Sequence, residues 1–466
     1  MATLGPACTN KGILLKMIRE GVNVCRLNFS HGTHEDHLKT IETIREINRE
    51  NDYYVSILCD LQGPKIRLGK VKNNKAFLEE KQIVRLVNKE CLSDEKQLYI
   101  NYSDFVENIK TGHQVLINDG NIELKVLEKK EDYATAEVVV GGEISSNKGV
   151  NLPDTLVTLP SLTKKDLKDL DFILEQDADW IALSFVREPN DIIDLRNRID
   201  KAGKFCKIIS KIEKPEAIKN LDEIIQATDG VMVARGDLGV EMPMEELPII
   251  QKEIVRKCNK IAKPVIIATQ MMESMIENPR PTRAEANDVG NAVLDGTDAV
   301  MLSGETSVGK YPVEVIQAMS KIIERIENEE SIYHKFNEIN SEHPEIFLSD
   351  AICQNAVGLS QQVDASAIIG MTFSGYTAFK ISSHRPSANV FIFSKNTRLL
   401  TVLNLLWGVR CYYYNKFVST DETFEDVVHE LKIRKHIEPG DVVIHTASMP
   451  IHQKKRTNSI KVNRIK

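Results

Sequence analysis

A lysine and two carboxylates set the chemistry open to this chain. Lys211 and Glu213 lie in the run Ile209-Ser210-Lys211-Ile212-Glu213-Lys214-Pro215-Glu216, and Asp237 lies in Val233-Ala234-Arg235-Gly236-Asp237-Leu238-Gly239. Apolar runs lead into both segments and a helical pattern over 215–227 joins them, so the spacing predicts a β-α-β unit. Residues at the carboxyl ends of adjacent parallel strands converge on one spot, where barrels and open sheets keep their sites. Two acids there can hold a hard divalent cation through oxygen, and a lysine beside them supplies fixed positive charge. Taken singly each pattern is commonplace, since a Lys-x-Glu pair is usually a solvated face and an Asp before Gly a turn. The weight comes from the other strand ends. Arg26-Leu27-Asn28-Phe29-Ser30-His31-Gly32 alternates polar and apolar side chains, Asp60 is followed by Lys65 and Arg67, and Thr269-Gln270 and Ser303-Gly304-Glu305-Thr306 close two later strands.

The elements that must position these residues follow a β-α rhythm. Strands are expected at 23–27 and 55–60, then at 180–184, 206–212, 230–234, 264–269 and 298–302, with a stub at 2–4 as the eighth. Helices are expected at 35–51, 164–176, 190–202 and 247–262. Eight such units make a closed (β/α)8 TIM barrel, an α/β fold. Between 65 and 160 the texture changes to short alternating runs, with turn signals at Asn118-Asp119-Gly120 and Gly141-Gly142, which predicts an inserted all-β lid. Towards the C-terminus a helix at 348–363 and strands at 367–371, 389–393, 409–414 and 441–445 predict a separate α/β domain with a mostly parallel sheet, followed by a basic tail over 454–466. The expected domains are 1–64 and 161–335 for the barrel, 65–160 for the lid and 336–466 for the C-terminal α/β unit.

Composition narrows the function classes. With 466 residues the chain is too long for one core, and 42% hydrophobic with 27% charged residues describes an ordinary globular protein. A net charge of -7 argues against general affinity for nucleic acid or an anionic membrane. The eight cysteines lack Cys-x-x-Cys spacing and several sit in strand-like runs, which reads as small buried hydrophobes in a reducing compartment, the cytoplasm. The polar inventory offers no nucleophile-base pair and no Cys/His metal cluster, and His31 reads as a structural hydrogen bonder. Cations that offset phosphate charge and carboxylates that hold Mg²⁺ suit phosphoryl transfer, which asks the protein mainly for positioning and electrostatics. A lid beside the barrel mouth would keep water from a reactive phosphoryl group.

These blocks, with Ala268-Thr269-Gln270-Met271-Met272-Glu273-Ser274-Met275 and Met301-Leu302-Ser303-Gly304-Glu305-Thr306, resemble the pyruvate kinase family over essentially the whole chain. The resemblance implies transfer of the phosphoryl group of phosphoenolpyruvate to ADP, giving ATP and pyruvate in the last step of glycolysis. It implies that Glu213 and Asp237 ligate Mg²⁺ (with Mn²⁺ as an alternative), and that Lys211 and Arg26 stabilise the transferring group. Gly236, Asp237 and Thr269 would hold the substrate carboxylate, with protonation of the enolpyruvate carbon near Thr269. Asn28, Ser30, His31, Arg67 and Lys148 would serve the nucleotide and its own Mg²⁺. Thr372, Ser374, Gly375 and Thr377, in a loop that also reads as a simple helix cap, would match the docking site of a sugar-phosphate or nucleotide effector. A homotetramer is usual in the family. Alternatives are a Mg²⁺-dependent pyruvate or phosphoenolpyruvate lyase or mutase, or a non-catalytic effector-binding scaffold.

Two departures from the family pattern stand out. Members that bind K⁺ use residues matching Asn28, Ser30, Asp60 and Leu61, the last typically Thr, with Glu at the place of Lys65. Leucine and lysine here lead to the expectation that Lys65 substitutes for K⁺. The other departure is the short first strand, which is expected to leave barrel closure short of pairing partners on both sides and to point to an upstream start codon.

Overall fold

The computed structural model describes residues 1–336, 339, 344–416, 419–449 and 455–466. Its centre is an eight-stranded parallel sheet in sequential order: Ala2–Thr3, Val24–Asn28, Ser56–Asp60, Trp180–Leu183, Lys207–Ile212, Gly230–Ala234, Val265–Ala268 and Ala299–Met301. The two-residue first strand closes the barrel, contrary to the expectation of lost partners. Ala2 and Thr3 pair with Cys25 and Arg26 on one side. On the other, Ala2 bridges to Leu302, Thr3 N donates to Leu302 O at 2.9 Å and Leu302 N to Met1 O at 3.0 Å. The Thr3 hydroxyl adds a further bond to Leu302 O at 2.8 Å. Ladder bonds outside the regular strand thus do the work that strand length does elsewhere.

Barrel strands are buried on both faces, which is why they read as continuous apolar runs. Alternation still sorts their side chains. Val24, Leu58, Trp180, Ala182, Ile209, Met232, Ile266, Ala268 and Met301 pack together inside the barrel. Two residues further along the same columns come Arg26, Asp60, Ser184 and Lys211, so one period-2 pattern fills the barrel and arms its mouth. Helices cover the outside, among them His34–Asn51, Lys164–Glu175, Pro189–Lys201 and Leu247–Lys260. The helix expected over 215–227 is two, Pro215–Lys219 and Leu221–Ala227. The break at Asn220 lets its side-chain amide donate to Arg187 O at 2.9 Å.

Residues between the third and fourth barrel strands build a six-stranded sheet, ordered Val150–Asn151, Gln114–Ile117, Ile122–Lys129, Ala134–Val140, Ile83–Val87, Gln97–Tyr99, over its own apolar core. Asn118, Asp119 and Gly120 all have positive φ and turn the hairpin expected there. Gly141-Gly142 is not a hairpin turn. It carries the chain from Ala134–Val140 into Gly142–Ile144, which pairs with Ala76–Leu78 in a separate two-stranded sheet. A Cβ at Gly141 would lie 2.5 Å from Leu78 O, so the strand crossing itself requires the glycine.

The C-terminal sheet has five strands, ordered Val409–Tyr413, Asn389–Ser394, Ala367–Met371, Val442–Ala447, Ser459–Arg464. The last runs antiparallel to its neighbour and corrects the expected basic tail, of which Lys454 lies outside the described residues. Ser459, Lys461 and Asn463 alternate with Ile460 and Val462, a half-covered edge strand whose polar residues mask the pattern. All cysteines are free, and all but Cys91 are buried. Among the described residues no helix is long and apolar enough to cross a membrane.

Candidate functional site

Lys211 sits at the centre of the barrel mouth. Its Nζ lies 2.9 Å from Glu213 Oε1, 3.3 Å from Asp60 Oδ1 and 2.8 Å from Ser184 Oγ. Arg26 grips the other oxygen of Asp60 with Nε at 2.7 Å and Nη2 at 2.6 Å, and donates from Nη1 to Thr3 Oγ1 at 2.9 Å. Five strands therefore supply one chain of alternating charge, Arg26, Asp60, Lys211, Glu213, propped by Thr3 and Ser184. Asp60 and Glu213 are each 1% exposed. Thr3 was not singled out from the sequence, and neither was Ser184. Its signal was the interior column Trp180, Ala182, Ser184.

Burial makes these charges depend on one another. It alone would drive the Asp60 pKa up, but Lys211 and Arg26 outweigh it and hold the carboxyl below its usual range. Burial would lower Lys211, yet Asp60 and Glu213 hold its pKa well above the ordinary lysine value. Glu213 goes the other way: burial raises its pKa, Lys211 opposes, and the nearby Asp237 carboxylate adds to the rise. Its Oε2 also accepts the Phe185 amide at 2.7 Å. The ionised form of Glu213 is thus disfavoured first by burial and then by a second carboxylate beside it.

A divalent cation shared by the two carboxylates would favour the ionised form of both. Two carboxylates of oxygen-only chemistry, one of them buried and held at raised pKa by that burial and by the other, suit Mg²⁺, which takes one or two protein carboxylates and completes its shell from water and substrate phosphate. Among the described residues there is no group of three or more His, Cys, Asp or Glu that would enclose a metal by itself. The K⁺ set fits less well. Both oxygens of Asp60 are engaged by cations, Asn28 Oδ1 accepts the Ser30 amide at 3.1 Å, and Leu61 has no side-chain oxygen while its carbonyl accepts Ser184 Oγ at 2.7 Å. Lys65 instead places Nζ 3.0 Å from Asp237 Oδ1.

Asp237 and Gly236 stand in the first turn of helix Arg235–Glu241, which leaves the sixth strand without a linker. Gly236 N donates to Thr269 Oγ1 at 2.7 Å, and that hydroxyl donates to Ala268 O at 2.6 Å. Thr269 and Gln270 both hold positive φ, 69° and 53°, a costly conformation for a β-branched residue followed by another non-glycine. Arg235 clamps that loop, donating to Thr269 O at 2.6 Å and pairing with Asp288 at 2.7 Å. Glu305 is a brace as well: its carboxylate accepts Ser303 N at 2.6 Å and Met272 N at 3.2 Å.

The remaining candidates are spread more widely. Asn28 and His31 line a cleft of ≈ 640 Å³ beside the mouth, together with Pro6, Thr9, Asp36 and Lys39, which sequence reasoning did not single out. Ser30 uses its amide to cap Asn28. Arg67 and Lys148 lie on the segments linking lid and barrel, where Arg67 donates to Asn147 O at 3.0 Å and Leu68 N to Lys148 O at 2.8 Å. In the C-terminal domain the Thr372 hydroxyl accepts Gly375 N at 2.9 Å, Ser374 Oγ faces Tyr376 N at 3.4 Å, and Thr377 Oγ1 meets Thr457 Oγ1 at 2.6 Å. The first two hydroxyls brace the loop that enters helix Tyr376–Ser383, whose N-cap residue is Gly375. They also line a cleft of ≈ 310 Å³ with Lys455, Arg456 and the unpartnered buried hydroxyls of Ser349 and Ser448.

Comparison with known proteins bears on this arrangement. The family model described as pyruvate kinase, barrel domain, matches residues 1–316, and that described as pyruvate kinase, alpha/beta domain, matches residues 350–463. A pyruvate kinase of Clostridium perfringens is 41% identical over 470 residues, covering 99% of this chain and 98% of that protein. Pyruvate kinase 2 of Synechocystis is 41% identical, covering 100% of this chain and 79% of that one. The crystal structure of a pyruvate kinase from Cryptosporidium parvum matches with a TM-score of 0.92 at 36% identity, over 100% of this chain and 95% of that chain.

Proposed function

The chain belongs to the pyruvate kinase family, and on that premise we propose how its barrel mouth moves a phosphoryl group from phosphoenolpyruvate to ADP. The observation that carries the assignment of roles is the Lys211 ammonium fixed between Asp60 and Glu213. Lys211 and Arg26 bind the transferring phosphoryl group. They are already ordered by Asp60, so neither reorganises as charge shifts in the transition state. The Gly236 and Asp237 amides, with Thr269, hold the substrate carboxylate and orient the enolate, and protonation of its carbon takes place on the Thr269 side. Held by Glu213 and Asp237, Mg²⁺ (or Mn²⁺) would neutralise oxygen charge on substrate and phosphoryl group. Asn28, Ser30 and His31 receive the nucleotide in the adjoining cleft, with Arg67 and Lys148 reaching from the lid segments.

The same reading makes 65–160 a lid that excludes water, and 336–466 an effector and oligomerisation unit of a homotetramer. Its cleft at Thr372, Ser374, Gly375 and Thr377, with Lys455 and Arg456, takes an anionic effector. It also makes catalysis largely independent of K⁺, since Leu61 removes a ligand and Lys65 brings a fixed ammonium to Asp237.

A lyase, a mutase or an inert scaffold is separated from this reading by one experiment. A coupled assay with phosphoenolpyruvate, ADP and Mg²⁺ is run on the wild type and on Lys211→Met, with and without sugar phosphates. ATP formation by the wild type and a drop of about 10²–10³-fold in kcat for the variant are expected. A folded wild type that makes no ATP overturns the proposal.

A further inference from the structure

Helix Arg235–Glu241 is held at both ends of one face by the segments that lead into and out of the lid. Asp237 and Glu241 are four residues apart, so their side chains lie one turn apart on the same side. Lys65, on the segment entering the lid, pairs with Asp237 at 3.0 Å. Asn151, on the strand Val150–Asn151 leaving it, donates from Nδ2 to Glu241 Oε1 at 2.7 Å. The two segments are bonded to each other beside those points, Val150 N to Ile66 O at 3.0 Å and Arg67 bridging Gly149. Glu241 is 4% exposed, and the same Oε1 accepts Lys214 Nζ at 2.5 Å. Lys214 follows Glu213 directly. One buried carboxylate therefore joins the lid, the helix that carries Gly236 and Asp237, and the loop that carries Glu213.

We propose that Asn151, Glu241 and Lys214 form a latch that transmits lid position to the Glu213–Asp237 site, so that the metal-binding acids reach working geometry only when the lid strand is seated. None of the three touches the reacting atoms, and all act as positioning residues. The chemistry favours this over a plain interdomain bond. A buried carboxylate with two donors loses one of them when the lid strand withdraws, and the remaining Lys214 bond then tilts the helix end towards the Glu213 loop. Because the tie to Asp237 through Lys65 belongs to the same pair of segments, the lid sets both carboxylates of that helix together.

This rests on the functional reading above, and the test keeps the two apart. Wild-type turnover in the coupled assay judges that reading. The latch is judged on Asn151→Asp, which sets a carboxylate against Glu241, and on Asn151→Asp combined with Glu241→Gln, which rebuilds the pair with donor and acceptor exchanged. Loss of a residue that orients metal ligands typically costs about 10–100-fold in metal affinity or activity. The single variant is therefore expected to lower kcat about tenfold or more and to raise the half-saturating Mg²⁺ several-fold, and the double variant to recover most of both. Amide exchange across residues 149–152 should rise in the single variant and fall back in the double, a readout that needs no turnover. If Asn151→Asp fails to fold, Asn151→Ala carries the same comparison of Mg²⁺ requirement and exchange against wild type. A folded single variant with wild-type Mg²⁺ requirement, or a double variant no better than the single, overturns the latch.

Discussion

At the scale of single residues, the decisive feature is that each charge of the mouth has an opposite neighbour, and that at Asp237 this neighbour is Lys65. A monovalent cation in that region would add positive charge near the transferring phosphoryl group, and a fixed ammonium does the same without a binding equilibrium. Replacing K⁺ by Na⁺ or tetramethylammonium should therefore change the wild-type rate by less than about tenfold, whereas a hundredfold drop would sink the idea. Lys65→Glu supplies the converse. It leaves Asp237 facing a second carboxylate, and we expect kcat to fall about 10–100-fold in Na⁺ with partial recovery in K⁺, because like charges at this range each disfavour the ionised form. The types of Lys211, Glu213, Asp237 and Lys65 were readable as chemistry, because titratable residues at strand ends have few structural reasons to be there. Which acid each lysine would choose was not readable, because that depends on a side chain from an element far away in sequence.

At the scale of elements, the barrel strands were legible from apolar runs and the mouth from period-2 alternation, but strand boundaries shifted by a residue and their ends were decided by backbone strain. The strand expected at 264–269 stops at Ala268, because Thr269 turns to φ 69°. Nothing in its β-branched side chain signals a left-handed backbone. The conformation is held from outside, by Arg235 on its carbonyl and by Gly236 N on its hydroxyl. The hydroxyl is then the part that matters. Thr269→Ala leaves the Gly236 amide without its acceptor, which costs about 1–3 kcal/mol and, if the loss falls on the transition state, lowers kcat/KM for phosphoenolpyruvate about 10–100-fold. Thr269→Ser keeps the hydroxyl and should stay within about fivefold of wild type. Equal losses in the two variants would show that the methyl contact, not the hydroxyl, positions the helix. The edge strand Ser459–Arg464 escaped notice for the opposite reason, since strand propensity was present and polar surface residues hid it.

Across the whole molecule the site and the C-terminal domain occupy opposite ends of the barrel. The N-terminal rim is where Trp180 Nε1 donates to Val402 O at 3.3 Å and where Arg385 reaches Asp298 at 3.0 Å and Gly296 O at 2.6 Å. Asp179 is the titratable link there. It is 7% exposed, accepts Ile57 N at 2.7 Å within the barrel, and takes the Thr401 hydroxyl from the C-terminal helix Thr397–Leu403. Burial pushes its pKa up to about 6, against the opposing pull of those bonds and of Arg398 and Arg45. A carboxyl whose folded pKa is raised favours folding in its protonated form. That contribution is fully present below the unfolded value near 4 and is lost as pH rises through about 6. Above that window the ionised group costs about 3 kcal/mol relative to an unshifted acid. Asp179→Asn keeps an acceptor for Ile57 N and a partner for Thr401 while removing the charge. Its apparent Tm should therefore exceed that of the wild type at pH 8, by a margin that holds down to about pH 6 and shrinks as pH falls from there towards 4. A margin that does not change with pH would mean that Asp179 is as well solvated in the interface as in the unfolded chain.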